Sequence, residues 1–365
     1  MQIIHGEPSF HLGTPELDLH ITRRGGHMAP VVFHLADRDV SPYSLSPWEP
    51  EEFPDAPPLL SVLRGDFFCL PFSVQMDGPP HGETANAEWT KLESHADSLK
   101  CQIETGDTGA KVVKTITTRT GHHAIYIDHQ ITNLDGDFSY GNHPILDFSG
   151  LAEGAGRVTT SPFHWASVFP GVFSNPADGE TQKLLGGAEF TDLREVKLAS
   201  GGTTDLTRYP DEGGHDDLVM MAHNPASSEQ PFAWTAVVLD GYLWFSLKNP
   251  ADFPSTLFWI SNAGRSAPPW SDRHRARMGF EDVCSHFSDG VDKSRLDLLA
   301  THGIPTTRHF NREETVSLRN IQGVAAAPTR FGSVKKIVPA GDCAVTIVGE
   351  FGLEILCPID WNFLV

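Results

Sequence analysis

Three short stretches set titratable side chains among glycines and prolines, where a reactive group can be both held and reached. Residues 65–89 (GDFFCLPFSVQMDGPPHGETANAEW) carry His81 after two prolines and before Gly82-Glu83, with Glu88-Trp89 close behind. Residues 133–148 (NLDGDFSYGNHPILDF) set His143 between a flexible Gly141 and a rigid Pro144. Residues 258–284 (FWISNAGRSAPPWSDRHRARMGFEDVC) end with Glu281 and Asp282 on a short apolar run. Imidazole and carboxylate are the groups that burial and neighbours tune most readily toward neutrality, so the chemistry they suggest is proton transfer. Taken singly, each has a plainer role. The chain has 18 histidines, and a lone histidine in a β protein is usually a hydrogen-bonded structural residue. Glu281 alone reads as a solvent-facing strand position, and Asp216-Asp217, in DEGGHDDLVM, as loop carboxylates. His81, His143, His215 and His274 show no HxH or HxxxH spacing, so neither a metal nor another cofactor is expected.

The elements that must position these groups are strands. Residues 111–133 read as two strands about a turn near Gly121, with Ile125, Ile127 and Ile131 on one face and Tyr126, Asp128 and Gln130 on the other. Residues 232–248 place two aromatic and β-branched runs around Asp240-Gly241, a dipeptide suited to a primed turn with positive φ at both central residues. Residues 345–356 repeat the pattern around residues 350–352. The best helical signal is residues 292–301, with an acidic start and Gly303 just past the end. With 33 Gly and 27 Pro punctuating short strands, the expected fold is all-β, a large antiparallel β-sandwich. No linker divides the chain, so residues 1–365 are read as one domain, with the Pro-rich segment 41–58 as an ordered loop or strap over the sandwich.

Charge narrows the partners. The net charge of −20 repels phosphate backbones and anionic lipid, so neither nucleic acid nor a membrane is expected as a partner. A local arginine cluster can still override that field for a small phosphorylated ligand. The five cysteines form no CxxC pair, and the N-terminal residues lack the basic and apolar regions of a signal peptide; a cytoplasmic location is expected.

Order and spacing link the three stretches. The run GDFFCLPFS…PPHGETANAEW, then ITNLDGDFSYGNHPILDF, then an acidic segment at Asp216, and last GFEDVC resemble the galactose mutarotase-like superfamily, most closely its aldose 1-epimerase and glucose-6-phosphate 1-epimerase branches. The resemblance covers roughly residues 60–285. It implies a supersandwich fold and an isomerase that opens and recloses a sugar ring at its anomeric carbon. It implies Glu281 as base, His143 as acid and His81 as a hydrogen-bond partner of the ring oxygen or a nearby hydroxyl. Asp216 or Asp217 would hold sugar hydroxyls, and Trp89, Trp165 or Trp259 would offer an apolar face to the ring. For the substrate-binding arginine, Arg64 is the first candidate and Arg265 the second. Arg265, Arg273, Arg275 and Arg277 are candidates for a phosphate. The sequence departs from the family where Pro144-Ile145 follow His143 and where Asp282 follows Glu281, and about 80 residues follow Glu281. Two other functions suit the same residues: a catalytically silent carbohydrate-binding protein on this scaffold, and a glycoside hydrolase or lyase pairing Glu281 with Glu83 or Asp217.

Overall fold

In the computed structural model, which describes residues 1–365, two antiparallel sheets face one another across a shared core. The larger runs Arg208–Tyr209, Gly156–Thr160, Ala233–Val238, Tyr242–Lys248, Val316–Ala326, Ala124–Thr132, Lys111–Thr117, Ser98–Glu104, Thr90–Ser94. The second runs Phe163–Val168, His215–His223, Ser255–Asn262, Arg277–Cys284, Tyr140–Asn142, Phe68–Cys69, and Ile145–Asp147 also pairs with Arg277–Cys284. An N-terminal five-stranded meander, Gln2–Ile4 through Asp39–Val40, adds Leu17, Leu19 and Ile21 to the same core. The fold is therefore the all-β sandwich expected from two-residue periodicity. No helix is long and apolar enough to cross a membrane.

Alternation decides which side chains meet. In Ala124–Thr132, Ile125, Ile127 and Ile131 enter the sandwich core, whereas Tyr126 faces the opposite side. The hairpin Ala233–Val238 to Tyr242–Lys248 forms about residues 240–241, but only Gly241 has positive φ (+72°). The turn is thus not the primed type expected from Asp-Gly; one glycine supplies the left-handed geometry. The expected helix over 292–301 is likewise corrected. Gly290–Ser294 is a single short helix and Ala300–His302 a 3-10 turn ending on Gly303, φ +69°. Leu296 and Leu298 between them are exposed, so no continuous apolar face exists to support a longer helix.

The residues after Glu281 both complete and extend the sandwich. Val316–Ala326 lies in the middle of the nine-stranded sheet. Val334–Pro339, Ala344–Gly349 and Glu354–Pro358 form a three-stranded sheet over its outer face, where Ile337, Val345 and Ile347 pack with Tyr126, Trp234 and Phe245. Between the two main sheets lies a buried ion pair. Lys248 binds Asp282, which also accepts from Ser246 Oγ (2.8 Å) and Thr256 Oγ1 (2.8 Å). Those hydrogen bonds offset the desolvation of both charges, and they fix the facing of the strand that carries Glu281.

Candidate active site

The smaller main sheet shows its alternate residues to two sides. Phe258, Ile260, Met278 and Phe280 enter the sandwich; Leu257, Trp259 and Val283 belong to a second apolar cluster on the outer side. Glu281 shares the parity of Gly279 and Val283 and so emerges outward, while Asp282 points in toward Lys248. A cavity of about 510 Å³ opens on that outer side; Pro57 of the 41–58 segment and Leu59, Leu60 and Leu63 just past it form one wall. The segment is an ordered strap: Trp48 is buried and meets Trp270 edge to face.

His143 and Glu281 form the floor, at 5% and 3% exposure, with His143 Nε2 3.2 Å from Glu281 Oε1. The His143 backbone N–H donates to Asp66 Oδ1 (2.9 Å), and its ring stacks on Phe67 (4.5 Å between centroids). Its Nδ1 is buried without a partner, so Glu281 is the imidazole's one polar contact. Gly279 makes room for the carboxyl: a Cβ there would lie 2.9 Å from Glu281 Oε1. Burial holds the Glu281 carboxyl well above its ordinary range and the His143 imidazole well below its own, the nearby His81 adding to the latter. Burial thus favours the neutral acid and the neutral imidazole over their charged forms. The carboxylate–imidazolium form differs from this by the position of one proton and carries the same net charge, with His143 Nε2 and Glu281 Oε1 3.2 Å apart.

His81 stands over His143, ring to ring at 5.1 Å. Ser73 N–H donates to His81 Nδ1 (3.2 Å), and Cys69 Sγ lies 3.1 Å from the same nitrogen. With Nδ1 accepting, the neutral ring carries its proton on Nε2, and burial keeps it neutral by lowering its pKa to about 3. His81 is thus a hydrogen-bond donor lining the cavity.

Arg64, Asp216, Asp217 and Trp89 lie outside the cavity. The Arg64 guanidinium is buried and donates to the carbonyls of Ile4, His5 and Val62. Asp216 accepts from Ser261 Oγ, Asn262 N and Gly264 N; Asp217 accepts from Lys183 N, Leu184 N and His215. Trp89 is buried with its Nε1 donating to Thr84 O. Each is saturated by the protein itself. Glu83 accepts from Gly106 N, and neither it nor Asp217 lines the cavity with Glu281, where a hydrolase would need a second carboxylate.

The arginine in the cavity is Arg265. Its guanidinium lies over Trp270 (5.0 Å) and Phe173 (5.3 Å), with Asp216 Oδ2 and Glu180 Oε1 each 3.4 Å from Nε. Asp216 thus shapes the site indirectly, by ordering residues 261–264 and backing Arg265. Trp259, Trp270 and Asp289 also line the cavity. Trp270 and Asp289 carried no signal of chemistry in the sequence.

No protein-family model matches the sequence, and no curated protein is similar to it. Solved structures do match in shape. A galactose mutarotase related enzyme from Lactobacillus acidophilus is 10% identical with a TM-score of 0.55, over 87% of this chain and 98% of its own. A GalM/aldose epimerase homologue from C. elegans is 12% identical with a TM-score of 0.58, over 88% and 100%. A galactose mutarotase-like protein from Clostridium acetobutylicum is 10% identical with a TM-score of 0.56, over 89% and 96%. The fold is that of the galactose mutarotase-like proteins.

Proposed function

We propose that this protein is a sugar 1-epimerase, interconverting the α and β anomers of an aldose by acid–base ring opening. The observation that carries the reading is the buried His143–Glu281 pair, 3.2 Å apart on the cavity floor beneath a histidine whose donor nitrogen is fixed. In the carboxylate–imidazolium form, Glu281 takes the proton of the anomeric hydroxyl and His143 gives one to the ring oxygen. The C1–O5 bond breaks to leave an aldehyde. Rotation about C1–C2 and reversal of both transfers then close the ring on its other face. Proton count and charge are conserved throughout, which suits a site where burial penalises net charge. Hydrogen bonds from His81 and the sugar hydroxyls offset the charge separation in the pair. Each proton-transfer partner contributes on the order of 10²–10⁴-fold in rate.

The test is polarimetry on freshly dissolved single anomers of a panel of aldoses. The expected result is mutarotation faster than in buffer for at least one sugar. If every sugar relaxes at the buffer rate, the epimerase reading fails.

A further inference from the structure

Away from its floor, the cavity is largely apolar. Its walls are Leu59, Leu63, Phe169, Phe173 and Leu218 together with Trp259 and Trp270. Its mouth is formed by Pro57, Val74, Pro80 and Val172, and Val74 and Val172 are 60% and 68% exposed. Exposed apolar side chains grouped at a cavity entrance lower the cost of desolvating an apolar ligand there.

Polar groups on the walls are few. Ser73 Oγ donates to Ser288 O (2.8 Å). Asp289 binds His286 Nδ1 (2.9 Å) and Lys293 Nζ (3.1 Å), which occupies that lysine's charge. Arg265 has its charge balanced by two carboxylates, each 3.4 Å from Nε, although its guanidinium makes no hydrogen bond within the protein. The other arginines of the 265–277 run are also taken: Arg273 by Glu52 (2.9 Å), Arg275 by Glu212 O (2.8 Å) and Arg277 by Asp147 (3.0 Å). No uncompensated cation therefore faces the cavity, and the net charge of −20 repels a phosphate at longer range. A hydroxyl pressed against Leu59, Leu63, Phe169 or Leu218 would lose its water without gaining a partner, whereas a methyl or alkyl group would gain contact there.

We infer that the substrate is an uncharged sugar carrying an apolar substituent, a deoxy methyl or an alkyl or acyl group, on the part of the ring remote from the anomeric carbon. This rests on the epimerase reading for the placement of the anomeric carbon at His143 and Glu281. The volume of about 510 Å³ leaves room beyond a monosaccharide ring for such a group.

The test pairs binding with turnover. Calorimetry measures the affinity of glucose, glucose 6-phosphate and three series of n-alkyl glucose ethers, substituted at O3, O4 or O6. Anomeric exchange by NMR measures turnover of the same compounds. In at least one series affinity should climb about fourfold per added methylene until the chain passes Val74 and Val172, and glucose 6-phosphate should bind more weakly than glucose. Affinity flat or falling with chain length in all three series overturns the inference, as does preference for the phosphate. Either result with turnover intact leaves the epimerase reading standing. Climbing affinity without turnover supports the apolar-substituent inference and rejects catalysis. As a control on the charge argument, Val172→Lys, at an exposed position, should move selectivity toward the phosphate by about tenfold. No movement toward the phosphate would count against the charge argument and overturn the inference.

Discussion

Burial moves the two groups of the His143–Glu281 pair in opposite directions, and the pH dependence of the rate follows from that. Acid stops the reaction when the pair gains a second proton, base when it loses the one it shares. With the imidazole held well below 6.5 and the carboxyl well above 4.5, both limbs move outward. The rate should be level across neutral pH, and a limb at the ordinary value of either group would contradict the assignment. Gly279→Ala should press a methyl against the carboxyl and against Trp259 Cβ (3.2 Å), lowering kcat on the order of tenfold to a hundredfold and the melting midpoint with it. An unchanged kcat would mean that the Glu281 position is not exacting. Residues 81, 143 and 281 stand out as titratable groups in Gly/Pro-rich or apolar runs, but only the family resemblance set them apart from the other candidates. Arg64, Asp216, Asp217 and Trp89 read the same way in one dimension. What separates them is whether their polar atoms are saturated by the protein, and that depends on distant segments, such as the carbonyls of Ile4 and His5 for Arg64.

At the scale of elements, the start of the His215–His223 strand is held by His215, whose Nδ1 meets Asp217 (2.7 Å) and Nε2 meets Asp211 (2.8 Å). Burial alone would lower its pKa, but the two carboxylates more than offset that and raise it to about 9. The folded value lies above the unfolded one, so this contribution is complete below pH 6.5 and is lost as pH rises through 9. Urea unfolding should show stability falling by up to about 3 kcal/mol across that interval, and His215→Gln should flatten the fall. Equal slopes for both proteins would refute it. Strand alternation was readable where apolar residues recur every second position, as in Ala124–Thr132. The 240–241 turn and the 292–301 helix were misread because local propensity favoured geometries that packing did not support. Leu296 and Leu298 had nothing to pack against, and one glycine sufficed at the turn.

Over the whole molecule, the C-terminal three-stranded sheet lies on the far side of the nine-stranded sheet from the cavity, so stability and chemistry should separate there. Ile347, fully buried in that outer cluster, is the probe. Ile347→Ala should cost about 2–5 kcal/mol and lower the melting midpoint, with the exchange rate per folded molecule unchanged. A rate loss without a stability loss would tie the outer sheet to the site. This layering was only partly visible in the sequence. The hairpin over 345–356 could be read, but which face it covers is set by the outward residues of strands more than a hundred positions earlier, such as Tyr126 and Trp234.

The most direct test of the central claim is a double-mutant cycle on anomeric exchange, read by NMR at equilibrium with Glu281→Gln, His143→Gln and the two combined. If the pair works as one proton relay, each single variant loses on the order of 10²–10⁴-fold and the double variant loses no more than the worse single. Losses that multiply, or a single variant at the wild-type rate, would contradict it.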